Sequence, residues 1–360
     1  MHYSTRPERR KTRQVKVGKI AIGGDAPVSV QSMTTTNTWD AQATLAQIHE
    51  LEQAGCEIVR CTVPTEKDAA ALPEILAGTK IPVVADIHFD YRMAIKAAEA
   101  GVNKLRLNPG NIGGEKKVQM VVDCAKAHKL PIRIGVNAGS LEKELLEKYL
   151  RPTPEAMYES GMRHIKILEE AGFYDIVISL KASDPKLMID SYSLLATRCD
   201  YPFHLGVTEA GTKFTGTIKN AIGMGALLEK GIGDTIRVSL TAEPVEEVKA
   251  GFEILKALRI REKGINLIAC PTCGRLEIDL FKLCDQVEAR LKNVEEPIEI
   301  AIMGCVVNGP GEAQAAKIGL AAGRGQGVLY LNGEVVKKVK EEDMLKALVE
   351  QVEQVVGHPV

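Results

Sequence analysis

The sequence predicts an α/β protein, a (β/α)8 TIM barrel followed by a small α+β domain. Eight short runs rich in Val and Ile alternate with helical patterns, and together they span about 260 residues, the usual size of such a barrel. No glycine-rich dinucleotide fingerprint follows the first strand, which disfavours the alternative of a doubly wound open sheet. The rest of the 360-residue chain follows a different pattern of strands and helices.

Each predicted barrel strand is an apolar run that ends before polar or turn-forming residues. Strands that alternate with helices pair in parallel through right-handed crossovers. The eight predicted strands are residues 28–32, 58–63, 82–88, 104–108, 132–137, 175–181, 203–208 and 235–240. The predicted helices are residues 41–54, 92–100, 116–128, 154–171, 185–197, 218–230 and 244–258.

A polar, turn-like stretch at residues 261–266 predicts two domains, residues 1–262 and 263–360. In the second domain the apolar periodicity predicts a helix at 276–291 and a closing helix at 341–355. Strands are predicted at 298–303, 317–322, 327–331 and 335–339, with Asn332-Gly333 as a hairpin turn.

Composition excludes several classes of function. A formal net charge of −1 and 4% aromatic residues disfavour nucleic-acid binding. No apolar run reaches the length of about 18 residues that spans a membrane. Residues 1–19 are basic without an apolar core, so we predict a solvated arm and no secretory signal. Cys56, Cys61, Cys124 and Cys199 lie singly in apolar patterns, which is typical of free thiols in a reducing cytoplasm.

Five predicted barrel strands contain a cation within or at the end of an apolar run. A buried cation needs an anionic partner, and barrel active sites lie at the carboxyl ends of the strands, so the pattern predicts a strongly anionic substrate. The alternative is internal ion pairing with Asp86, Glu209 or Asp234, although these acids are too few for all the cations. The five cations are Arg60, Arg106, Arg133, Lys181 and Arg237.

Polar residues accompany these cations at the strand ends. Asn137, Ser179 and Ser239 are candidate substrate ligands. The acid–base candidates are Asp86, His88, His204 and Glu209, and Glu209 is favoured for proton transfer because it lies in a Thr-Glu-Ala-Gly strand end. His204 lies within an apolar run and is expected to be a core histidine whose ring nitrogens are hydrogen-bonded.

A metal site is predicted in the second domain. Cys270 and Cys273 form a C-x-x-C pair, Cys305 lies among glycines, and Glu312 follows a Gly-Pro-Gly turn. Three thiolates with a carboxylate would leave one iron of a cluster open to exchange. The residues alone leave zinc and a redox dithiol open as alternatives. Cys284 falls on the apolar face of a helix and is expected to be a core residue.

At this point the chain resembles a known family. The 270–275 motif Cys-Pro-Thr-Cys-Gly-Arg and the 303–312 motif Met-Gly-Cys-Val-Val-Asn-Gly-Pro-Gly-Glu are similar to the signature of bacterial hydroxymethylbutenyl diphosphate synthases. These are iron–sulfur enzymes of the methylerythritol phosphate route to isoprenoids. The barrel segments Val-Gln-Ser-Met-Thr at 30–34 and Arg-Ile-Gly-Val-Asn at 133–137 also resemble family segments.

The resemblance implies a reaction and a cofactor. A cyclic diphosphate, 2-C-methylerythritol 2,4-cyclodiphosphate, would be opened and dehydroxylated by two electrons. A [4Fe-4S] cluster would be held by Cys270, Cys273, Cys305 and Glu312, and Glu209 would donate the proton. The five barrel cations, helped by the asparagine and the two serines above, would hold the diphosphate.

The resemblance also implies partners. Reduced flavodoxin or ferredoxin would supply the electrons, and head-to-tail homodimers would place the cluster domain of one subunit over the barrel mouth of the other. Two alternatives remain: a non-catalytic iron–sulfur or zinc protein that binds a phosphorylated ligand, and an aldolase-type barrel that uses Lys181 as a Schiff-base lysine.

Overall fold

The computed structural model describes residues 7–305 and 307–360. The chain forms two compact units that meet in sequence after Arg261. The first is a parallel barrel and the second a small mixed sheet with helices, so the predicted fold class is confirmed. Among the described residues, no helix has both the length and the apolar character that a membrane span requires.

In the first unit a β-hairpin precedes the barrel. The hairpin strands are β1 (Val15–Val17) and β2 (Ile20–Ile22). The barrel strands are β3 (Ser29–Met33), β4 (Ile58–Thr62), β5 (Val83–Asp86), β6 (Lys104–Leu107), β7 (Ile132–Asn137), β8 (Ile176–Lys181), β9 (His204–Leu205) and β10 (Thr235–Ile236). The helices are α1 (Ala41–Gln53), α2 (Glu66–Gly78), α3 (Tyr91–Ala100), α4 (Glu115–Ala127), α5 (Lys143–Tyr149), α6 (Pro154–Glu170), α7 (Pro185–Ala196), α8 (Lys213–Leu228) and α9 (Pro244–Ala257).

The barrel strands pair in parallel in the order β8-β7-β6-β5-β4-β3-β10-β9. A single parallel bridge between Ile178 and Phe203 joins β8 to β9 and closes the ring. β9 and β10 are shorter than the predicted strands 203–208 and 235–240, although the Arg237 N–H still donates to the Leu205 carbonyl at 3.0 Å. The alternation of strand and helix therefore predicts the topology, whereas the predicted carboxyl ends of these two strands lie in loops.

Local signals define the helix ends. Asp40, Thr153 and Asp184 accept backbone N–H bonds at the first turns of α1, α6 and α7. α2 was not among the predicted helices. It contains Pro73, a residue that usually interrupts a helix, and a capping box between Thr65 and Asp68 begins it.

The amino-terminal ends of the barrel strands are sealed. Val17 and Ile22 of the hairpin form one buried apolar cluster with Ile58 and Val84 from inside the barrel. The sequence analysis missed this hairpin, because its three-residue strands are too short to show a period. The polar mouth at the opposite end is therefore the open one, as is usual for barrel enzymes.

The prediction of a solvated basic arm holds only in part for the residues that the structure describes; residues 1–6 lie outside them. Lys11, Lys16 and Lys19 are exposed, but Arg9 and Arg10 are half-buried. Arg9 pairs with buried Asp234 at 2.7 Å. Arg10 donates to two carbonyls, those of Cys199 and Tyr201, and stacks over Phe203. These arginines hydrogen-bond the carbonyls and the acid at the closed end of the barrel, which a composition argument cannot reveal.

The four isolated cysteines of the barrel are free thiols. Cys56 and Cys61 are buried, and burial raises the pKa of Cys56 to about 12 and that of Cys61 to about 11. Cys124 and Cys199 are half-buried. All four pack in or against the barrel core, as expected from their apolar surroundings.

The second unit is a five-stranded sheet with helices. Its elements are β11 (Ile265–Ala269), α10 (Leu280–Arg290), β12 (Ile298–Met303), α11 (Gly309–Ala315), β13 (Ile318–Gly323), β14 (Gln326–Leu331), β15 (Glu334–Lys340) and α12 (Met344–Val356). The strand order follows the chain, with β11, β12 and β13 parallel and the last two pairings antiparallel. Val287, Leu348 and Val352 pack from α10 and α12 against Ile300 and Leu320 of the sheet.

One prediction in this unit is confirmed and another is corrected. Asn332 and Gly333 have φ values of 51° and 84°, as a two-residue hairpin turn with positive φ at both positions requires. The Gly-Pro-Gly segment at 309–311 is not a turn; it forms the first turn of α11. Proline fits there because the first helical N–H groups have no intrahelical partner.

Candidate functional site

Strand register brings the predicted barrel cations together. Asp86, Arg106 and Arg133 occupy neighbouring positions on three consecutive strands, β5, β6 and β7. Arg60 lies on β4, beside β5. Because partners in a parallel pair point to the same face, these side chains share the barrel interior.

Asp86 is the anion that organises two of these arginines. Its Oδ1 accepts from Arg106 Nη1 at 2.9 Å, and its Oδ2 lies 3.3 Å from Arg60 Nε. Burial alone would raise the pKa of Asp86, but Arg60 and Arg106 lower it well below its usual range. Asp86 is therefore an ionised anchor in this environment, and its acid–base role stays a prediction.

Arg106 reaches its position because its neighbour on β7 has no side chain. A Cβ at Gly135 would lie 2.5 Å from Arg106 Nε. The guanidinium donates to the Gly135 carbonyl at 3.3 Å, while Asn108 Oδ1 accepts the Gly135 N–H at 2.8 Å. The Gly135 carbonyl thus accepts from the Arg106 guanidinium, and Asn108 holds the Gly135 backbone in place.

Arg237 has an acid that the sequence analysis missed. Glu247 of α9 lies 3.5 Å from Arg237 Nη2 and accepts the Leu240 N–H at 2.9 Å and the Ser32 hydroxyl at 3.2 Å. The only sequence signal was the position of Glu247 beside Val248 on a helix that packs on the barrel. The internal ion-pair alternative is therefore correct for Arg60, Arg106 and Arg237, but with Glu247 in place of two of the acids considered.

Arg133 and Lys181 differ from the other three cations. No ion pair joins either to an acid among residues 7–305 and 307–360, and both are buried. Burial and the neighbouring arginines lower the pKa of Arg133 and of Lys181. Arg133 Nε and Nη1 also lack a hydrogen-bond partner in the described chain. Buried cations are normally paired with an anion, so Arg133 and Lys181 remain the candidates for binding an anionic ligand.

The predicted polar ligands lie on the same strands. Asn137 and Lys181 are partners in the β7–β8 register. The Ser179 hydroxyl donates to the Ile134 carbonyl at 3.0 Å, which fixes its side chain. Ser239 follows β10, and its carbonyl accepts from Asn220 at 3.1 Å.

Glu209 lies in the loop after β9 with an exposed side chain and a φ of 52°. Such a φ is costly for a residue with a Cβ and clusters at functional sites. Among the described non-glycine residues, a second positive φ outside helix ends and the hairpin turn is 46° at Thr272, inside the C-x-x-C motif. Both strained positions thus fall within predicted site motifs.

Two further polar side chains are buried in the barrel, His204 and Lys104, and the sequence analysis predicted only the first. His204 is a core residue as expected, but its two ring nitrogens have no hydrogen-bond partner in the described part of the chain, contrary to the prediction. Burial lowers its pKa, so the ring is neutral. Lys104 Nζ is also buried and has no hydrogen-bond partner among the described residues. Its place two residues before Arg106, on the same strand face, was the available signal.

In the second unit the predicted cysteine ligands lie at the carboxyl edge of the sheet. Cys270 follows β11 directly, and Cys305 lies two residues after β12, its parallel neighbour. A Cβ at Gly304 would lie 2.3 Å from Leu276 Cδ1 and 3.8 Å from Cys270 Sγ. A side chain at position 304 would therefore displace Leu276, and residue 304 lies next to Cys270.

Hydrogen bonds order the loop that carries Cys273. The Glu277 N–H donates to the Gly304 carbonyl at 3.0 Å, and the Glu277 carboxylate accepts the Arg324 N–H at 3.1 Å. Arg275 Nε lies 3.4 Å from Cys273 Sγ and lowers the pKa of that thiol. Backbone N–H groups, with that of Asn308 first, lower the pKa of Cys305. Both shifts are toward the thiolate, the form that binds metals.

Metal-ligand geometry is not complete in the described chain: no three His, Cys, Asp or Glu side chains among residues 7–305 and 307–360 form a group that could hold an ion. Glu312 lies in the first turn of α11. The donor types nevertheless suit iron or zinc, because free thiols of lowered pKa lie at one sheet edge. Cys284 packs against the core of this unit, as expected, and burial raises its pKa.

Both units of the chain match models of known protein families. Residues 12–252 match the GcpE TIM-barrel domain, and residues 266–354 match the GcpE protein C-terminal domain. The chain belongs to the GcpE family. The two matched family domains correspond to the barrel unit and the unit that contains the cysteine edge.

Curated relatives of this family member are similar over nearly their whole length. A protein of Geobacter sulfurreducens is 59% identical over 96% of this chain and 98% of its own, and is named 4-hydroxy-3-methylbut-2-en-1-yl diphosphate synthase (flavodoxin). Proteins of the same name from Symbiobacterium thermophilum and Clostridium perfringens are 58% and 56% identical over 96% of this chain, and over 94% and 99% of theirs. The relatives are thus named as enzymes.

A solved structure resembles the fold alone. Dihydropteroate synthase from Stenotrophomonas maltophilia aligns with a TM-score of 0.51 at 15% identity, over 69% of this chain and 97% of its own. At that identity the likeness supports a shared architecture and carries no functional argument.

Proposed function

We propose that this chain catalyses the reductive ring opening and dehydroxylation of 2-C-methyl-D-erythritol 2,4-cyclodiphosphate to 4-hydroxy-3-methylbut-2-enyl diphosphate. The observation that carries the proposal is identity of 56–59% over 96% of the chain with relatives named as that synthase. The buried cations of the barrel suit the doubly phosphorylated substrate. Membership in this family of enzymes makes an oxidoreductase the best-supported class.

The barrel residues would bind the diphosphate and follow its change in charge. Two electrons break the ring C–O bond and expel a hydroxyl, which takes one proton and leaves as water. The product diphosphate then carries one more negative charge than the cyclic substrate. Arg133 and Lys181 have no acid partner among the described residues and are the cations best suited to that added charge, because Arg60 and Arg106 are already paired with Asp86.

Glu209 is the proposed proton donor to the departing hydroxyl. It follows β9 on the loop at the carboxyl end of the barrel, where barrel enzymes place their reacting groups. Its positive φ fixes an exposed side chain in an uncommon backbone conformation, as is frequent at active sites. Asn137, Ser179 and Ser239 would orient the substrate beside the cations.

In the second unit Cys270, Cys273, Cys305 and Glu312 would hold a [4Fe-4S] cluster. When bound, that cluster supplies the two electrons and a Lewis-acidic iron whose carboxylate ligand can be exchanged. The three thiols and the carboxylate satisfy the donor count. Thr272 and Gly304 would shape the cysteine loops around it.

Partners and location follow from the same proposal. Flavodoxin, which the names of the relatives contain, or ferredoxin would deliver electrons. A head-to-tail homodimer would bring one cluster-binding unit to the barrel mouth of another copy, where loop residues Trp39 and Phe89 are exposed. The eight free cysteines agree with a reducing cytoplasm.

The experiment is turnover of the cyclic diphosphate under anaerobic conditions with reduced flavodoxin, measured as product formation. We expect activity in the wild type and a loss of about 10²–10⁴-fold in Glu209→Gln, the usual contribution of a general acid. Glu170→Gln, an exposed change on α6, is the control. Absence of turnover in iron-loaded protein that still binds inorganic pyrophosphate would favour the non-catalytic alternative.

A Schiff-base mechanism at Lys181 is a second candidate, favoured by one observation. Burial, Arg237 and Arg133 lower the pKa of the Lys181 ammonium, as a nucleophilic lysine requires. Borohydride trapping with a carbonyl substrate would modify Lys181 in that case. Unmodified Lys181 would leave its role as a phosphate ligand.

A further inference from the structure

The barrel closes between β8 and β9 with an interrupted hydrogen-bond ladder. We refer to residues 178–182 and 202–208 as the seam. The Ile178 N–H donates to the Pro202 carbonyl at 3.0 Å, and the Thr208 N–H donates to the Ala182 carbonyl at 3.1 Å. A regular parallel ladder would place the next bond between the Leu180 N–H and the carbonyl two residues after Pro202.

A side chain occupies the place of that bond. The hydroxyl of Tyr192, from α7 outside the barrel, accepts the Leu180 N–H at 2.9 Å and donates to the His204 carbonyl at 2.5 Å. Tyr192 is fully buried, and its ring packs on Phe203 with centroids 5.4 Å apart. The Leu180 N–H and the His204 carbonyl are therefore both paired, but through a hydroxyl group. The two strands lie farther apart here than a direct N–H···O=C bond would place them.

The seam adjoins Lys181, one of the five barrel cations. Ser179 and Lys181 flank Leu180 and point into the barrel, where Lys181 has no acid partner among the described residues. A Cβ built on Gly206, across the seam, would lie 3.2 Å from Lys181 Nζ. Lys181 Nζ thus lies close to the Gly206 backbone on the opposite side of the seam.

We propose that Tyr192 is a positioning residue for substrate binding: its hydroxyl sets the width of the seam and so the place at which Lys181 meets a diphosphate oxygen. The inference rests on the proposed function, since it assigns Lys181 to the diphosphate. Tyr192 itself touches no substrate in this account. Its removal acts through Lys181 and the β8 strand.

The test compares Tyr192→Phe with Tyr201→Phe in the full-length protein. Each change deletes one buried phenol hydroxyl, and the Tyr201 hydroxyl donates to Glu169 at 2.8 Å, away from the barrel cations. The probe is inorganic pyrophosphate, with binding measured by calorimetry. We expect Tyr192→Phe to weaken binding about tenfold, within the range for coupled neighbours. Tyr201→Phe should change it less than about twofold.

A double-mutant cycle separates positioning from general loosening. In a Lys181→Met background, Tyr192→Phe should have little further effect on pyrophosphate binding, because its route to the ligand is gone. An undiminished effect in that background, or equal effects of the two tyrosine changes, would overturn the proposal. The result does not depend on turnover, so failure of the proposed function would appear separately, as wild-type protein that binds pyrophosphate but does not convert the cyclic diphosphate.

A second measurement covers the case in which Tyr192→Phe does not fold. Hydrogen exchange of the peptide that contains Leu180 is followed in wild-type protein with and without pyrophosphate. If ligand at Lys181 and the hydroxyl bridge are linked, the Leu180 amide should exchange about tenfold more slowly with pyrophosphate bound. Unchanged exchange at saturating pyrophosphate would contradict the link.

Discussion

In the barrel, Asp86 holds Arg60 and Arg106 within 3.3 Å, whereas at the edge of the second unit no three of the described ligand-type side chains form a group that could hold an ion. The barrel supplies its own counter-charge for Arg60, Arg106 and Arg237, through Asp86 and Glu247. The cysteine edge orders its loops through backbone bonds. Under the proposed function, metal binding would complete the convergence of the thiols and would be coupled to local ordering.

Loss of a predicted cysteine ligand should have the largest effect. That effect should be confined to the second unit. Cys305→Ser should lose iron, and turnover should fall by more than the 10–100-fold typical of losing a mere supporting group. Cys284→Ala, which removes a core thiol from the same unit, should keep its iron. Pyrophosphate binding should stay within about twofold of wild type, because the barrel cations are held independently.

Iron content and pyrophosphate calorimetry on the same preparations check this prediction. Iron at the wild-type level in Cys305→Ser would remove that residue from the ligand set. A large loss of pyrophosphate binding would show that the two sites are not independent.

Removing the shared acid of the barrel should cause the next largest effect. Asp86→Asn leaves two buried arginines without a counter-charge, so the free energy of unfolding should fall by about 3–5 kcal/mol. Asp200→Asn breaks an ion pair with Arg13 whose side chains are substantially exposed, and should cost less than about 1 kcal/mol. Denaturant unfolding of both variants makes the measurement, and similar values for the two would argue against Asp86 as the anchor.

Lys181→Met should change stability and binding in opposite directions. The ligand-free protein should gain about 1 kcal/mol or more, because a buried cation without an acid partner is replaced by an apolar chain. Pyrophosphate binding should weaken by about 1.5–3 kcal/mol, the value of a charged hydrogen bond. Lys186→Met, an exposed change on α7, is the control. A fall in both quantities would mean that Lys181 has a structural partner.

The smallest predicted effect is on the pH dependence of the free energy of unfolding under acidic conditions. The pKa of Asp86 is lowered in the folded protein, so its contribution to stability is complete above the ordinary aspartate pKa of about 4 and is lost as pH falls toward the lowered value. Between pH 4 and pH 3 the free energy of unfolding should therefore fall more steeply for wild type than for Asp86→Asn. Urea unfolding across that interval decides the matter, and parallel curves would show that the ion pairs do not depend on the charge of Asp86.

The sequence predicted the fold well because strand and helix periods are local properties. It also predicted the five barrel cations, since a charge inside an apolar strand has few explanations. Two elements at the cysteine edge were missed: β11, and α11 with Glu312 in its first turn. Both adjoin the predicted cysteine and Gly-Pro-Gly motifs, in which glycines and prolines obscure the apolar periodicity.

Partnerships across the fold could not be predicted. Glu247 reaches Arg237 from a helix, and Tyr192 enters the strand ladder from another, so their roles depend on three-dimensional packing. The same holds for Arg9, which pairs with an acid 225 positions away. A single sequence indicates that a buried cation needs a partner, but not which part of the chain provides it.

The most direct test of the account is the iron and acid-labile sulfide content of protein purified without oxygen, together with conversion of the cyclic diphosphate by that preparation. We predict about four irons and about four sulfides per chain, the composition of a [4Fe-4S] cluster, with product formed on reduction. Stoichiometric zinc without sulfide, or a full cluster with no conversion of the cyclic diphosphate, would contradict it.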